Sequence, residues 1–316
     1  MAIDYIALQS APRLLFEATL KPLQGPRFQP TGFADLGPAR YTTPNGTEML
    51  LVESAQSVAN RMEAACWDDA EEDLLPGLRG LPYITIREGE RTVSNSILEA
   101  HRINSEYILK SAGKPSAFHK QLQEEIGYFG DRPVDNLRFV KTVFKYDPNS
   151  VLHGCFLEEI GGRLRLTRIL SGFIEASGVS IAESGGVKNN RVQPELKGGE
   201  GNVPFHRTEF TAIEIKVYFN FDLSLLRGYG LGDNATRLLL TLGLFKIQRF
   251  LSTGLRLRSA CDLELDGKGL EVTRPVEFSL PDEDALLEEC TRLIQACASE
   301  GLFAEPSITP VNWSAK

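Results

Sequence analysis

Residues 177–209 read SGVSIAESGGVKNNRVQPELKGGEGNVPFHRTE. Gly185 and Gly186 stand together, Gly198, Gly199 and Gly201 follow, and Lys188, Asn189, Asn190 and Arg191 lie between the two groups. Glycines let a backbone approach a partner closely, and lysine and arginine favour an anionic partner. A long stretch of this kind inside a compact chain is usually either functional or disordered. The segments that flank it decide the fold.

On the C-terminal side, residues 211–222 alternate. Ile213, Ile215, Val217, Phe219 and Phe221 face one way, and Glu214, Lys216, Tyr218, Asn220 and Asp222 the other. On the N-terminal side, residues 163–176 begin as a strand whose alternation Arg168 breaks. Further out, residues 13–20 set Leu14, Phe16, Ala18 and Leu20 on one side, a first strand. Residues 50–65 then predict an amphipathic helix, with Leu51, Ala55, Val58, Met62 and Ala65 on its stripe and Thr47 and Glu48 at its start. Asp233 or Asn234 caps a helix to about Ser252, and Gly254 suits its stop. Residues 255–265 alternate again, Leu255, Leu257, Cys261, Leu263 and Leu265 against Arg256, Arg258, Asp262 and Glu264. The order is strand, helix, strand, excursion, strand, helix, strand. This predicts an α+β chain built on a βαββαβ unit, ferredoxin-like or RRM-like. The glycine-rich stretch joins the two middle strands, so it projects as an extended hairpin or finger. Such a sheet leaves one face open, and nucleic acids often use that face.

The remaining segments are less regular. Residues 21–38 are dense in proline and glycine and read as loop. Residues 67–150 read as an irregular insertion with helices over 94–109 and 115–128, and the acidic run 68–73 as solvated surface. Asp282, Glu283 and Asp284 open a last helix, where their charge complements its dipole.

With 316 residues, 42% hydrophobic and 24% charged, the composition is that of a globular protein. No apolar run reaches the roughly 20 residues of a membrane span, so no membrane partner is expected. The start lacks a basic segment followed by an apolar block, so a cytoplasmic location is expected. Five cysteines occur without a CxxC pair, and Cys290 and Cys297 lie among Leu286, Leu287, Leu293 and Ile294. They read as buried thiols, with no zinc site or structural disulfide. Net charge is -8, yet residues 151–260 carry 14 basic against 10 acidic side chains, while residues 261–316 carry 4 against 12. Local field governs a binding groove more than the total, and the basic part contains the glycine-rich stretch.

Nucleophilic and metal chemistry find little support. The four histidines, His101, His119, His153 and His206, are scattered, and neither a GxSxG elbow nor an i, i+4 histidine pair occurs. GYGLGDNA at 228–235 lacks the spacing of a phosphate loop and reads better as a tight turn. Phe205, His206 and Arg207 are either a turn feeding a strand or a cluster that stacks on bases and meets phosphate. Arg27, Phe28 and Gln29 are either a surface turn or part of the same site. Arg256 and Arg258 share a strand face and are a candidate track for an anionic backbone.

Seven segments in order resemble one family: RFQPTGF at 27, LLVESAQSVANRME at 50, SNSILEAHRINSEYI at 94, SGGVKNNRV at 184, GNVPFHRTEFTAIEI at 201, RGYGLG at 227 and FLSTGLRLRSACDLE at 250. Together they are similar to the CRISPR-associated RAMP backbone subunit of the type I-U (I-G) interference complex, or Cascade, over about residues 13–265. The resemblance implies a hand-shaped single domain over 1–265. Its palm would be about 11–24, 45–66, 163–176 and 209–265, its fingers 67–150 and its thumb about 177–208. Residues 266–316 would be an acidic helical extension. It implies copies stacked head-to-tail in a filament along the spacer of a CRISPR RNA, within a complex of other subunits. Thumbs would displace or kink a nucleotide at intervals, and the free bases would pair with target DNA. Cutting would belong to a recruited helicase-nuclease, not to this subunit, and no cofactor is expected. By matching position, the implied RNA-binding residues are Arg27, Gln29, Asn60, Arg61, His101, Arg102, Lys188, Asn189, Arg191, His206, Arg207, Arg256 and Arg258. One rival reading is a RAMP-type endoribonuclease that processes precursor CRISPR RNA through His101 or His206. Another is a metabolic enzyme with an ordered active-site loop.

Overall fold

The computed structural model describes residues 3–32, 36–130, 132–187, 204–253 and 255–315; the side chains of 184, 187 and 204–206 also lie outside the description. The chain begins its main sheet with β1 (Arg13–Pro22), whose Leu14, Phe16, Ala18 and Leu20 are buried as their alternation predicts. Next come a short edge strand β2 (Arg40–Thr42), β3 (Glu48–Glu53) and helix α1 (Ala55–Ala64). The single helix expected over 50–65 is therefore a strand followed by a helix. Leu50 and Val52 are buried with the two-residue period of a strand, and β3 pairs through its edge with a later strand. Ser54, in extended backbone, accepts from Ser57 N and starts the helix, in place of Thr47 and Glu48.

The insertion after α1 is more ordered than the sequence suggests. It contains β4 (Tyr83–Glu88), β5 (Arg91–Asn95), α2 (Ala117–Ile126), α3 (Asn136–Tyr146), α4 (Pro148–His153) and the hairpin β6 (Cys155–Leu157) and β7 (Leu164–Leu166). The helix expected over 94–109 is replaced by a turn and two one-turn helices. Asn95 Oδ1 accepts from Ile97 N and Leu98 N, which closes a side-chain turn instead of a helix.

Strand β8 (Leu170–Ser177) starts just after Arg168, the residue that broke the alternation. The arm follows as a separate antiparallel pair, β9 (Ser180–Val187) and β10 (Pro204–Thr211), in register from Ser180 opposite Thr211 to Val187 opposite Pro204. The expected projecting hairpin is thus present at its root, and residues 188–203 lie outside the described residues. Strand β11 (Glu214–Asp222) returns to the main sheet. Its Ile215, Val217, Phe219 and Phe221 are buried, but Ile213 precedes the strand and is 87% exposed.

Helix α5 (Asp233–Ser252) leads into a hairpin, β12 (Leu255–Arg258) and β13 (Cys261–Leu265), where one strand was expected; Ser259 and Ala260 form its turn. Strand β14 (Glu271–Arg274), helix α6 (Glu283–Ser299) and β15 (Ile308–Asn312) complete the chain.

The main sheet runs β12–β13–β1–β11–β8–β3–β2, with β14 also on β1, and its pairs are antiparallel. Phe16 faces Phe219, which faces Gly172 on β8. A Cβ on Gly172 would lie 2.5 Å from the Phe219 ring, so the glycine makes room for it. Gly243 on α5 does the same for Phe221, at 2.4 Å. Helices α1 and α5 cover this face with Val58, Met62, Leu238, Leu242 and Phe245, all buried. Each such side chain contributes about 1.5–3 kcal/mol.

Residues 266–316, read from the sequence as an acidic helical extension, contribute two strands as well as a helix. β14 pairs with β1, and β15 lies parallel to β4 inside the insertion. Helix α6 packs on α5, and its Leu286, Cys290, Leu293, Ile294 and Cys297 are all buried, as expected for that stripe. The five cysteines are free and buried. Among the described residues, no helix is long and apolar enough to cross a membrane.

Candidate nucleic-acid interface

Glu53, the last residue of β3, is buried where the edge of the sheet meets the start of α1. Two arginines from distant segments converge on its carboxylate: Arg258 from β12 donates to Oε2, and Arg61 Nη2 from α1 lies 3.5 Å from the same oxygen. Arg61 also donates to the carbonyls of Arg256 and Leu257, which ties α1 to β12. Arg258 donates to the carbonyls of Gln29 (3.0 Å) and Val52 (3.3 Å).

Gln29 carries the network towards the arm. Its N donates to Ala260 O at 2.7 Å, and its Oε1 accepts from Arg207 Nη2 at 3.3 Å. Arg207 on β10 is also 3.2 Å from Glu209, and Glu209 takes Arg27 at 3.1 Å. The intervening Phe28 is buried and pairs its backbone both ways with Phe210, at 2.9 Å each. The loop after β1 is thus stitched to the root of the arm, and Arg27 and Gln29 are held in place.

On the other flank of α1, Asn60 Oδ1 accepts from Gln56 and from Arg102. Arg102 is only 3% exposed, with Nε and Nη2 each 2.7 Å from one oxygen of Glu63. Its backbone is left-handed, at φ 56°. The resemblance implies that Arg102 binds RNA; its guanidinium is instead spent inside the protein. His101, next to it, is exposed beside the groove that β6, β7 and α1 line. Gln56 Oε1 accepts from Arg168 Nη2 at 2.9 Å, and Arg168 Nε donates to His153 O. Burial, and then the like charge of Arg102, lowers the pKa of Arg168. Beneath, Lys246 Nζ meets Asn149 Oδ1 and, at 3.0 Å, His153 Nε2. Burial holds Lys246 below the usual lysine range.

One band of contacts therefore runs from Arg27 at the arm root, through Gln29, Arg258 and Arg61, across α1 to Asn60, Arg102 and Arg168. Arg256 is exposed beside it. Lys188, Asn189 and Arg191 lie outside the described residues; His206 sits in β10, and its side chain is likewise outside them. The residues missed from the sequence are the carboxylates Glu53, Glu63 and Glu209, with Gln56 and Arg168. Only Arg168, by breaking the alternation, left a local signal.

The open sheet face differs from expectation. It carries Glu17, Glu175 and Glu214 around Lys216, with Phe173 stacked on Tyr218 at 5.1 Å. Acidic side chains repel phosphate, so this face suits an anionic partner poorly.

A solved chain described as "CRISPR RNA-guided surveillance complex, pre-nicking" aligns with 80% of this chain and 76% of its own length, at 13% identity and a TM-score of 0.41. Csc2 from Thermofilum pendens aligns with 98% of this chain and 82% of its own, at 13% identity and a TM-score of 0.31. No curated protein matches. The family model described as CRISPR-associated protein GSU0053 (Cas_GSU0053) matches residues 14–181, more than half of the chain. The protein belongs to the CRISPR-associated protein GSU0053 family.

Proposed function

We propose that this chain is the RNA-holding backbone subunit of a type I CRISPR interference complex, of the I-U (I-G) kind. In this reading the strands β1, β8, β11 and β13 with α1 and α5 form a ferredoxin-like palm, the β9–β10 arm is a thumb, and the insertion after α1 is the fingers. The subunit binds the spacer of a CRISPR RNA, stacks head-to-tail with its own copies, and leaves bases free to pair with target DNA. It cuts nothing itself; a recruited helicase-nuclease does so.

The observation that carries the reading is the arginine band. Among the described residues, Arg27, Arg61, Arg207 and Arg258 gather around two carboxylates, Glu53 and Glu209. The carboxylates fix the guanidinium forks. Each guanidinium has five donors, and the side chain of Arg27 is 54% exposed, so donors remain for phosphate. A spacer has no fixed sequence, so a grip on backbone and shape, not base edges, is what the task demands.

Expressing the protein with and without a CRISPR array tests the assignment. Co-purified RNA and a ladder of masses are expected with the array. An RNA-free monomer in both cases, or repeat RNA cleavage abolished by His206→Ala, would overturn it.

A further inference from the structure

At the Arg168 end of the band lies a groove of about 720 Å³, walled by the β6–β7 hairpin, the start of α1 and the turn around His101. Its chemistry changes along the hairpin. Arg168 stands at the hairpin's base, half-buried, with its guanidinium held by two neutral oxygens, His153 O and Gln56 Oε1. Among the described residues it has no carboxylate within ion-pair distance. Arg165 lies mid-hairpin, its guanidinium 4.6 Å from the centre of the Phe156 ring. Past these, the groove turns to acceptors. Glu158 is exposed there, and Asn104 Oδ1 is buried without a hydrogen-bond partner among the described residues. The other two acids, Glu106 and Glu159, are shared with Lys110 at 3.9 Å and 2.8 Å.

An unpartnered buried acceptor is costly, and so is a half-buried cation without a counter-charge. A ligand that is anionic at one end, flat in the middle and a hydrogen-bond donor at the other would supply the missing counter-charge at Arg168 and meet the exposed Glu158 carboxylate. We propose that this groove binds a single 5′-phosphorylated nucleotide, with its phosphate at Arg168 and Arg165 and a base bearing an exocyclic amine towards Asn104 and Glu158. A free nucleotide and one nucleotide of a bound RNA share this chemistry; the second source rests on the function proposed above.

Calorimetric titration of the full-length protein with 5′-AMP, 5′-GMP and inorganic phosphate, beside anisotropy with a labelled RNA 12-mer, tests this. The nucleotides are expected to bind at least about tenfold tighter than phosphate. Arg168→Gln, and the exposed Arg165→Gln should Arg168→Gln fail to fold, are expected to weaken that binding about tenfold or more. Nucleotide binding no tighter than phosphate, or unchanged in both variants, overturns the groove site even if the 12-mer binds. Nucleotide binding that Arg165→Gln weakens, in a protein that ignores the 12-mer, supports the groove site and counts against the RNA reading.

Discussion

Arg102 and Glu63 form a two-pronged ion pair in the interior, with both N–O distances at 2.7 Å and the Glu63 side chain fully buried. The pair joins α1 to the insertion and supports the turn that presents His101. Removing one partner of such a pair strands the other charge. Arg102→Ala is therefore expected to destabilise the protein by about 3–5 kcal/mol in chemical denaturation. A loss below about 1 kcal/mol would mean that the pair does not hold the fold.

Arg256 gives the opposite pattern. Its side chain is exposed while its carbonyl accepts from Arg61, so Arg256→Ala keeps the backbone contact. Stability is expected to change by less than about 0.5 kcal/mol. RNA affinity should fall for every sequence tested, with the salt slope reduced by about 1. Comparing the melting curves and salt titrations of Arg102→Ala and Arg256→Ala separates structural from RNA-facing arginines.

His153 makes stability depend on pH. Burial first, and then the charges of Lys246, Arg102 and Arg168, hold its pKa well below 6.5. In the unfolded chain it takes up a proton near pH 6.5, which the folded protein resists. Its contribution is thus present above pH 6.5 and is lost as pH falls towards the folded pKa. Asp147 acts in the other sense. Burial raises it to about 6, so its contribution is fully present below about 3.8 and is lost as pH rises through about 6. Denaturation of wild type and His153→Gln at pH 7.5 and 5.5 isolates the histidine: the variant is expected to lose less stability on acidification. Equal losses would contradict the assignment.

The last strand is structural. Val311 of β15 is buried, and Trp313 meets Tyr107 edge-on at 5.5 Å. Deleting residues 308–316 should cost about 2–4 kcal/mol and leave the edge of β4 unpaired. A thermal melt matching the full-length protein would show that β15 is dispensable.

Strands β1 and β11 were legible in the sequence because their alternation is local, and so was the extent of α5, although Gly232 precedes it without a side-chain cap where Asp233 or Asn234 was expected. β3 was hidden because its six residues run straight into α1, and Leu51, Ala55 and Val58 mimic a helical stripe. The turn at Asn95 was hidden because a side chain, not a glycine, closes it. In the candidate site, the arginines stood out by type and by resemblance. Their partners did not: Glu53 lies 205 residues from Arg258, and Glu209 182 from Arg27. A buried carboxylate gives no sign in sequence of which cation it will hold.

The central claim is a grip on RNA that ignores sequence. The most direct measurement is the affinity of the wild-type protein for two unrelated single-stranded RNAs of equal length, between about 50 and 200 mM salt. Affinities within about threefold of each other and a steep, shared fall with salt are expected. Arg256→Ala should lower both affinities and make both slopes shallower by about 1. A strong preference for one RNA, or affinities that neither salt nor Arg256→Ala alters, would contradict it.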